Sequence, residues 1–259
     1  MAYDPGMARS VIFLSTPTSA SESMFRWLAA IAAQSYRTDR WVDRLLREGR
    51  LRDVATEFPP AQDRLVLHRA PQLFNPRTSL SDYRFVLNAR DPRDLVCNQY
   101  HWQFEHPVPS ETSEQTEARR ARVAAAGIDH FALAQGNEAY LRRFFEVTRK
   151  IAPPDRLFVG YAMFCLGFDT VVERACAFFG LRPEEMTEDQ RRRIELERVS
   201  NLAANEEWIG HRWAGTDTAP GRHRRELQPE TIRILTERHR WFLDFLRRMD
   251  DPRVAETYS

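Results

Sequence analysis

Three groups of polar residues follow apolar stretches that have the composition of β-strands. Residues 15–21, a loop of small and mainly hydroxyl-bearing side chains, separate the apolar run 10–14 from a helical pattern that begins near Glu22. His68 ends a second apolar run, and Arg90 follows a third. A loop that leads into a helix presents unpaired N–H groups and the positive end of the helix dipole. This arrangement predicts a site for an anion such as a phosphate.

The same loop has a purely structural interpretation. Ser19 and Glu22 have the spacing of a capping box, in which both side chains bond to the first N–H groups of the helix itself. The loop also lacks the glycines and the lysine of the G-x-x-x-x-G-K-[ST] nucleotide motif. Lys150 is the only lysine of the chain. The loop alone therefore leaves an anion site and a self-capped helix as alternatives.

Composition narrows the class of protein. The 259 residues are 42% hydrophobic and carry a formal net charge of +1, which favours neither nucleic acid nor an anionic membrane as a partner. No apolar run is long enough to span a membrane. The cysteines are odd in number and lack metal-ligand spacing, which predicts free thiols in a reducing compartment: Cys97, Cys165 and Cys176. We expect one cytoplasmic domain over residues 1–259 without a metal, and the oligomeric state stays open, with a homodimer as one alternative.

Strand and helix patterns alternate along the chain. Strands are predicted at residues 10–14, 64–68, 83–88 and 156–161, and helices at 22–34, 39–50, 92–104, 131–151, 168–180, 183–199 and 229–249. Residues 110–126 are predicted to form an exposed helix or a mobile lid. The alternation predicts an α/β fold, a three-layer sandwich with a central, mainly parallel β-sheet flanked by helices. Ligands of such sheets bind at the carboxyl ends of the strands, where the loop 15–21, His68, Arg90 and Tyr161 are expected.

Several motifs follow one another in a set order over most of the chain. They are TPTSASES at residues 16–23, HRAPQL at 68–73, RDPRD at 90–94 with Asn98 after it, Tyr161 at a strand end, and GRHRREL at 221–227. This series resembles the sulfotransferases that use 3′-phosphoadenosine 5′-phosphosulfate (PAPS), with a P-loop-like fold. Their corresponding motifs are Y-P-K-S-G-T-T-W, H-x-P-x-x-L, R-[ND]-P-x-D with a later Ser, a Tyr near the adenine, and G-x-[WY]-R-x-x-L.

The resemblance implies transfer of a sulfuryl group from PAPS to a hydroxyl or amine of a small-molecule acceptor. It implies that His68 is the general base, a role for which a neutral imidazole is suited. Asp94 is interpreted instead as a structural cap or a neighbour of Arg93, and not as a ligand of PAPS. The residues that the resemblance assigns to PAPS binding are Thr18, Ser19, Ala20, Ser21, Glu22, Ser23, Arg90, Asn98, Tyr161, Gly221, Arg222 and Arg224.

The first loop departs from the family pattern. Thr18 stands where the family has lysine, Ala20 where it has glycine, and Glu22 where it has a phosphate-binding threonine. A carboxylate about 5 Å from a phosphate costs on the order of 3 kcal/mol per unit charge at an effective dielectric constant of about 20. Arg26 or Arg69 is expected to replace the missing charge, and Arg26 to pair with Glu22. Two other functions stay open: His-assisted elimination or cyclisation without PAPS, and a non-catalytic binding protein.

Overall fold

The centre of the fold is a parallel β-sheet. The computed structural model describes residues 9–40, 44–45, 47–50, 65–70, 80–106, 108, 111–204 and 218–259. In this part of the chain the sheet has five strands in the order β2-β3-β1-β4-β5, and every neighbouring pair is parallel. The strands are β1 (Val11–Ser15), β2 (Arg37–Asp39), β3 (Val66–Ala70), β4 (Arg84–Ala89) and β5 (Arg156–Gly160).

Helices follow the strands, as the alternating pattern predicts. They are α1 (Ser21–Ala32), α2 (Pro92–Glu105), α3 (Ser113–Ala134), α4 (Glu138–Lys150), α5 (Tyr161–Leu166), α6 (Phe168–Phe179), α7 (Glu188–Glu195), α8 (His223–Glu226) and α9 (Pro229–Met249). Short 3-10 helices lie at Pro153–Asp155, Pro183–Glu185, Val199–Ala204 and Pro252–Tyr258. None of the described helices is long and apolar enough to cross a membrane.

The two faces of the sheet are covered by different helices. Side chains alternate between the faces along each strand. On one face Phe13 of β1 packs against Phe25 of α1, with ring centroids 6.2 Å apart. On the other face Phe158 of β5 packs against Phe245 of α9, at 5.9 Å. The predicted α/β architecture with helices on both sides is therefore confirmed.

The strand order places a crevice beside β1. After β1 the chain forms β2 and β3 on one side of it, and then returns to form β4 and β5 on the other. Ligands of open parallel sheets bind where the order reverses in this way, outside the carboxyl ends of the strands. The connections that follow β1 and β4 flank that position, and the candidate site lies there.

Several predicted boundaries differ from the structure. The second strand ends at Ala70, so His68 lies inside β3 and not at its end. Asp39 is the last residue of β2, a strand that was not predicted, and does not begin a helix. The predicted helix 131–151 is interrupted between α3 and α4, and α3 includes much of the predicted exposed segment. The cysteines are free thiols, as predicted. A single domain over residues 1–259 stays a prediction.

Candidate functional site

The loop after β1 bends sharply through residues in an uncommon conformation. Thr18 has a φ angle of 47° and Ala20 of 61°, values that residues other than glycine seldom adopt. Ser19 lies between them and is fully buried. Its Oγ atom is 2.6 Å from the carbonyl oxygen of Thr16 and 2.5 Å from Oδ1 of Asn88 on β4. These contacts fix the loop against the neighbouring strand.

The first turn of α1 has no side-chain cap. Ala20 is the N-cap residue, and the first hydrogen bond of the helix runs from the N–H of Met24 to the carbonyl oxygen of Ala20, at 2.9 Å. The predicted capping box is wrong because Ser19 bonds to Asn88, while Glu22 bonds to arginines. The N–H groups at the start of α1 are therefore not used by a capping side chain, as an anion site requires.

Arg90 provides a cation beside this helix start. Its backbone N–H donates to Oγ1 of Thr16 at 3.2 Å, and its Nη1 atom donates to the carbonyl oxygen of Thr18 at 3.2 Å. The guanidinium stacks on the ring of Tyr161, 4.1 Å from its centroid. Within the described residues, the Nε and Nη2 atoms are buried and have no hydrogen-bond partner. Burial opposes the charge, but Tyr161 and Asp94 outweigh it and the pKa of Arg90 is raised.

Two further predicted residues lie against the same loop and arginine. Asn98 of α2 has its Nδ2 atom 3.5 Å from the carbonyl oxygen of Thr18. Tyr161 is the first residue of α5 and is buried, and its hydroxyl donates to the carbonyl oxygen of Thr218 at 2.7 Å. Burial raises the pKa of Tyr161 above its usual value. The structure thus brings Thr18, Arg90, Asn98 and Tyr161 together, while their binding role stays a prediction.

Asp94 attaches the late glycine-containing loop to α2. Its carboxylate accepts the N–H of Gly221 at 2.8 Å and the N–H of His223 at 3.0 Å, and it lies 2.6 Å from Nδ1 of His223. Burial opposes its charge, but the bonds to His223 and the charge of Arg90 lower the pKa of Asp94 to about 2. Asp94 thus has a structural role, as interpreted from the sequence, because it accepts the N–H of His223, the first residue of α8. Asp91 is the N-cap of α2 and the partner of Arg93.

The two arginines of the late loop that the resemblance assigns to PAPS binding have other partners. Arg222 is buried and its Nε atom bonds to Glu226. Arg224 is exposed, and its Nη2 atom lies 3.2–3.5 Å from the carbonyl oxygens of residues 256, 257 and 259. Among the described residues, neither guanidinium has a hydrogen bond to the loop after β1. Their assignment to PAPS binding stays a prediction without a contact that supports it.

Glu22 lies among three arginines on the opposite side of the loop from Arg90. Its carboxylate bonds to Arg40, with one distance of 3.0 Å, and lies 3.1 Å from Nη2 of Arg69 and 3.9 Å from Nη1 of Arg26. Burial opposes its charge, but the arginines lower the pKa of Glu22 below its ordinary value. Arg26 is bound mainly to buried Glu197, with Nε at 2.6 Å. The expected pair of Arg26 and Glu22 is therefore the weakest of the three contacts.

His68 is paired with a carboxylate that the sequence did not indicate. It is fully buried in β3, and its Nδ1 atom lies 3.1 Å from Oδ2 of Asp39, its neighbour across the strand pair. The Nε2 atom is buried without a partner in the described part of the chain. The bond to His68 is the main cause that lowers the pKa of Asp39, with help from Arg44. An ionised Asp39 favours a proton on Nδ1 and leaves Nε2 as the acceptor.

The described residues contain no group of His, Cys, Asp and Glu side chains that could hold a metal ion. No protein-family model matches the sequence. No curated protein matches it either.

Solved structures do match. Mouse sulfotransferase SULT7A1 complexed with PAP has a TM-score of 0.61 at 11% identity, over 98% of this chain and 88% of that chain. Retinol dehydratase with androsterone and inactive cofactor PAP has a TM-score of 0.54 at 18% identity, over 97% and 83%. The structure of retinol dehydratase with retinol and PAP has a TM-score of 0.54 at 16% identity, over 96% of this chain and 84% of that chain. Because these likenesses extend over nearly the whole chain, the protein has the fold of the sulfotransferases.

Proposed function

We propose that the protein binds PAPS and transfers its sulfuryl group to a hydroxyl or amine of a small-molecule acceptor. The observation that carries the proposal is Arg90, a buried cation with two unpartnered N–H-bearing atoms beside the uncapped start of α1. A buried donor without an acceptor is costly, and an anion that bonded to it would remove the cost. Structures of the same fold that contain PAP, the adenosine 3′,5′-bisphosphate left after transfer, support the choice of ligand.

The residues around Arg90 fit a phosphate group. The Nε and Nη2 atoms present two donors in one plane, the geometry that suits a phosphate oxygen pair. Stacking on Tyr161 and the bond to Thr18 hold the guanidinium in position before a ligand arrives. We assign the 3′-phosphate of the nucleotide to Arg90 and Asn98. The 5′ side is assigned to the loop at residues 18–23 and the first N–H groups of α1.

The proposed base is His68. PAPS supplies the sulfuryl group and a phosphate leaving group. Nε2 of His68 accepts the proton of the acceptor as the new O–S or N–S bond forms and the bond from sulfur to the bridging oxygen breaks. Asp39 holds the Nδ1 proton and stabilises the imidazolium that results. Positive charge near the leaving oxygen lowers the barrier.

A second function is favoured by one specific observation. Residues 16–23 contain no basic side chain, and Arg26, Arg40 and Arg69 near them contact Glu22 or Glu197. An enzyme with this arrangement could use His68 for elimination from a small molecule without sulfuryl transfer. One of the proteins with a similar fold is named as a dehydratase, which supports this alternative.

Calorimetric titration with PAP tests the binding step. We expect micromolar affinity, and no binding at millimolar PAP would refute the proposal. PAP release from PAPS is then measured in the presence of phenols and primary alcohols. Transfer that is lost in His68→Ala, but kept in a variant of another buried histidine, His239→Ala, supports the base. Absence of PAP binding, together with a His68-dependent elimination from a small molecule, supports the second function.

A further inference from the structure

The late loop contains a buried histidine with an unused polar atom. His223 lies between Arg222 and Arg224, the two arginines that the resemblance assigns to PAPS binding. Arg222 bonds to Glu226, and Arg224 to the carbonyl oxygens of residues 256, 257 and 259. His223 is fully buried, and among the described residues its Nε2 atom has no hydrogen-bond partner. A ligand that bonded to Nε2 would remove the cost of this unpaired buried atom.

Asp94 holds the imidazole of His223 at its other nitrogen atom. The Asp94 carboxylate lies 2.6 Å from Nδ1 and accepts the backbone N–H of His223 at 3.0 Å. Burial opposes its charge, but the bonds to His223 lower the pKa of Asp94 to about 2, so it is ionised at neutral pH. An ionised carboxylate keeps a proton on Nδ1 and also stabilises the ring when Nε2 carries a second proton. The ring is therefore fixed in orientation and able to present an N–H group at Nε2.

The same carboxylate interacts with Arg90. Burial opposes both charges, but Asp94 helps to raise the pKa of Arg90, and Arg90 helps to lower the pKa of Asp94. Within the described residues, Nε and Nη2 of Arg90 have no acceptor. Arg90 and His223 are thus neighbours of one buried carboxylate, and each has a nitrogen atom without a partner there. An anion that bonded to both would satisfy all three nitrogen atoms.

Protonation of His223 decides the net charge of these three side chains. While His223 is neutral, the negative charge of Asp94 offsets the positive charge of Arg90. When Nε2 takes up a proton, one positive charge is left over. A phosphate with two negative charges bonds strongly to a charged N–H donor, whereas the lone pair of a neutral Nε2 atom would repel it. A bound phosphate therefore favours the protonated form of His223.

The ionisable groups that surround His223 are mostly fixed in charge. Burial raises the pKa of the thiols and phenols near Asp94 and Arg90, so these groups stay neutral at neutral pH: Cys97, Cys165, Tyr161 and Tyr258. On α9, burial lowers the pKa of His239 to about 4. The neighbouring carboxylates are paired: Asp91 with Arg93, and Glu226 with Arg222 and His101. His101 of α2 is therefore the histidine against which His223 is compared.

We infer that His223 binds the 3′-phosphate together with Arg90 and takes up a proton from the solvent as the ligand binds. The protonated Nε2 atom donates to a phosphate oxygen, while Nδ1 keeps its bond to Asp94. This inference rests on the proposed function, which assigns the 3′-phosphate to Arg90 and Asn98. The late loop then contributes to the site through its histidine, and the contribution falls as the pH rises.

His223→Asn separates the two nitrogen atoms of the ring. An asparagine amide keeps an N–H donor for Asp94, but it lacks Nε2 and takes up no proton. His101→Asn is the matched control, because His101 also contacts a carboxylate, with Nε2 2.9 Å from Oε2 of Glu226. The wild type and both variants are titrated with PAP by calorimetry at about pH 6, 7 and 8.5, where histidines change charge. Since phosphate itself loses a proton near pH 6, the result is the ratio of affinities between proteins at each pH.

We expect PAP to bind His223→Asn about tenfold more weakly than the wild type at about pH 6. At about pH 8.5 the difference should be less than about twofold, because a histidine loses its proton over this range. His101→Asn should match the wild type throughout. In two buffers with different enthalpies of ionisation, the wild type should take up more protons per PAP than His223→Asn. A weakening that is constant with pH, a weakening equal in the two variants, or an equal proton uptake would overturn the inference.

A second ligand tests the position of the phosphate. Adenosine 5′-monophosphate lacks the 3′-phosphate, so its affinity should differ by less than about twofold between the wild type and His223→Asn. A loss as large as that for PAP would mean that His223 does not act through the 3′-phosphate, and the inference would be wrong.

Failure of the proposed function gives a different result. If the wild type does not bind PAP, inorganic sulfate, which is doubly charged over the whole range, replaces it as the probe in thermal unfolding. The inference still predicts a larger rise of the melting temperature in the wild type than in His223→Asn at about pH 6, and equal rises at about pH 8.5. Equal rises at both pH values would refute it independently of PAPS use. The melting temperatures without sulfate show that each variant folds, and His223→Gln replaces His223→Asn if the latter does not.

Discussion

The two sides of the loop after β1 distribute their charges in opposite ways. On one side Arg90 is buried and keeps two nitrogen atoms without partners in the described structure. On the other side Arg69 and Arg40 contact the carboxylate of Glu22. Both sides contain arginine, so the amount of positive charge does not distinguish them. The difference lies in whether the protein provides its own anion.

The contacts of the acidic residues near Arg90 explain why its Nε and Nη2 atoms have no partner among the described residues. Asp91 binds Arg93, with Oδ2 at 2.7 Å from Nη2, and Asp94 binds Gly221 and His223. Each nearby carboxylate therefore has a hydrogen-bond partner other than Arg90. Among the residues that the structure describes near α1, no comparable partner draws Glu22 away from the arginines. The capacity of an arginine to bind an anion at the edge of this sheet thus depends on whether the neighbouring carboxylates have other hydrogen-bond partners, and not only on the presence of the arginine.

The strongest test of this comparison is removal of the buried cation. Arg90→Ala should lower PAP affinity about 100-fold, since a charge-assisted, two-point phosphate contact contributes about 3 kcal/mol. Calorimetry measures the change. Arg84→Ala is a matched control, because Arg84 also stacks on an aromatic ring, 3.8 Å from the centroid of Phe178, but lies at the first residue of β4. An equal loss of PAP affinity in both variants would mean that Arg90 contributes only to the stability of the fold and does not bind the ligand.

The second test removes the carboxylate of Asp94, which lies on the same side of the loop as Arg90, and measures the stability of the protein. Asp94→Asn should lower the free energy of unfolding by about 2–3 kcal/mol, because the carboxamide cannot accept all the bonds that the carboxylate accepts from Gly221 and His223. Urea unfolding measures it. If PAP affinity rises in this variant, Asp94 competes with the ligand for Arg90, and the contrast between the two sides fails.

The same carboxylate gives a pH dependence of stability. The pKa of Asp94 is about 2 in the folded protein, against 3.8 for an ordinary aspartate. A carboxylate whose pKa is lowered by folding stabilises the fold at pH values above its ordinary pKa. That contribution is lost as the pH falls from about 4 towards 2. The difference in unfolding free energy between the wild type and Asp94→Asn should shrink as the pH falls below about 4. A difference that stays constant from about pH 5 to 2 would contradict the assignment.

The sequence was sufficient for four of the five described strands and for the place of Arg90 beside the loop after β1, but not for the partners of the charged residues. Strand–helix alternation predicts that residues after β1 and β4 meet, because parallel strands place their carboxyl ends at one edge. The spacing of Ser19 and Glu22 left a capping box open as an alternative, because their actual partners come from β3, β4 and the residue after β2. Local spacing cannot indicate contacts between segments that are distant in sequence.

The pair of His68 and Asp39 was missed for a related reason. β2 has only three residues, Arg37, Thr38 and Asp39, and all are polar and partly exposed. An edge strand of this kind has no apolar alternation, so nothing in its sequence distinguishes it from a loop or a helix start. Only its pairing with β3 places Asp39 beside His68.

A new cation in the loop would sharpen the comparison. Thr18→Lys should raise PAP affinity about tenfold by adding a charge near the 5′ side. The φ angle of 47° is no harder for lysine than for threonine, whose branched Cβ is the less tolerant in that region. Ala125→Lys adds the same charge on an exposed residue of α3 and should leave the affinity unchanged. If both variants bind PAP more tightly, the effect is one of net charge and not of position.

The smallest effect concerns the backbone that both sides share. Ala20 holds a φ angle of 61°, which costs a residue with a Cβ atom roughly 1–2 kcal/mol, whereas glycine adopts it freely. Since glycine also loses more entropy on folding, Ala20→Gly should raise the free energy of unfolding by about 0.5–1 kcal/mol. Ala29→Gly, inside α1, should lower it by about 1 kcal/mol. If Ala20→Gly destabilises the protein like Ala29→Gly, the bend does not depend on the left-handed conformation, and the uncapped start of α1 needs another cause.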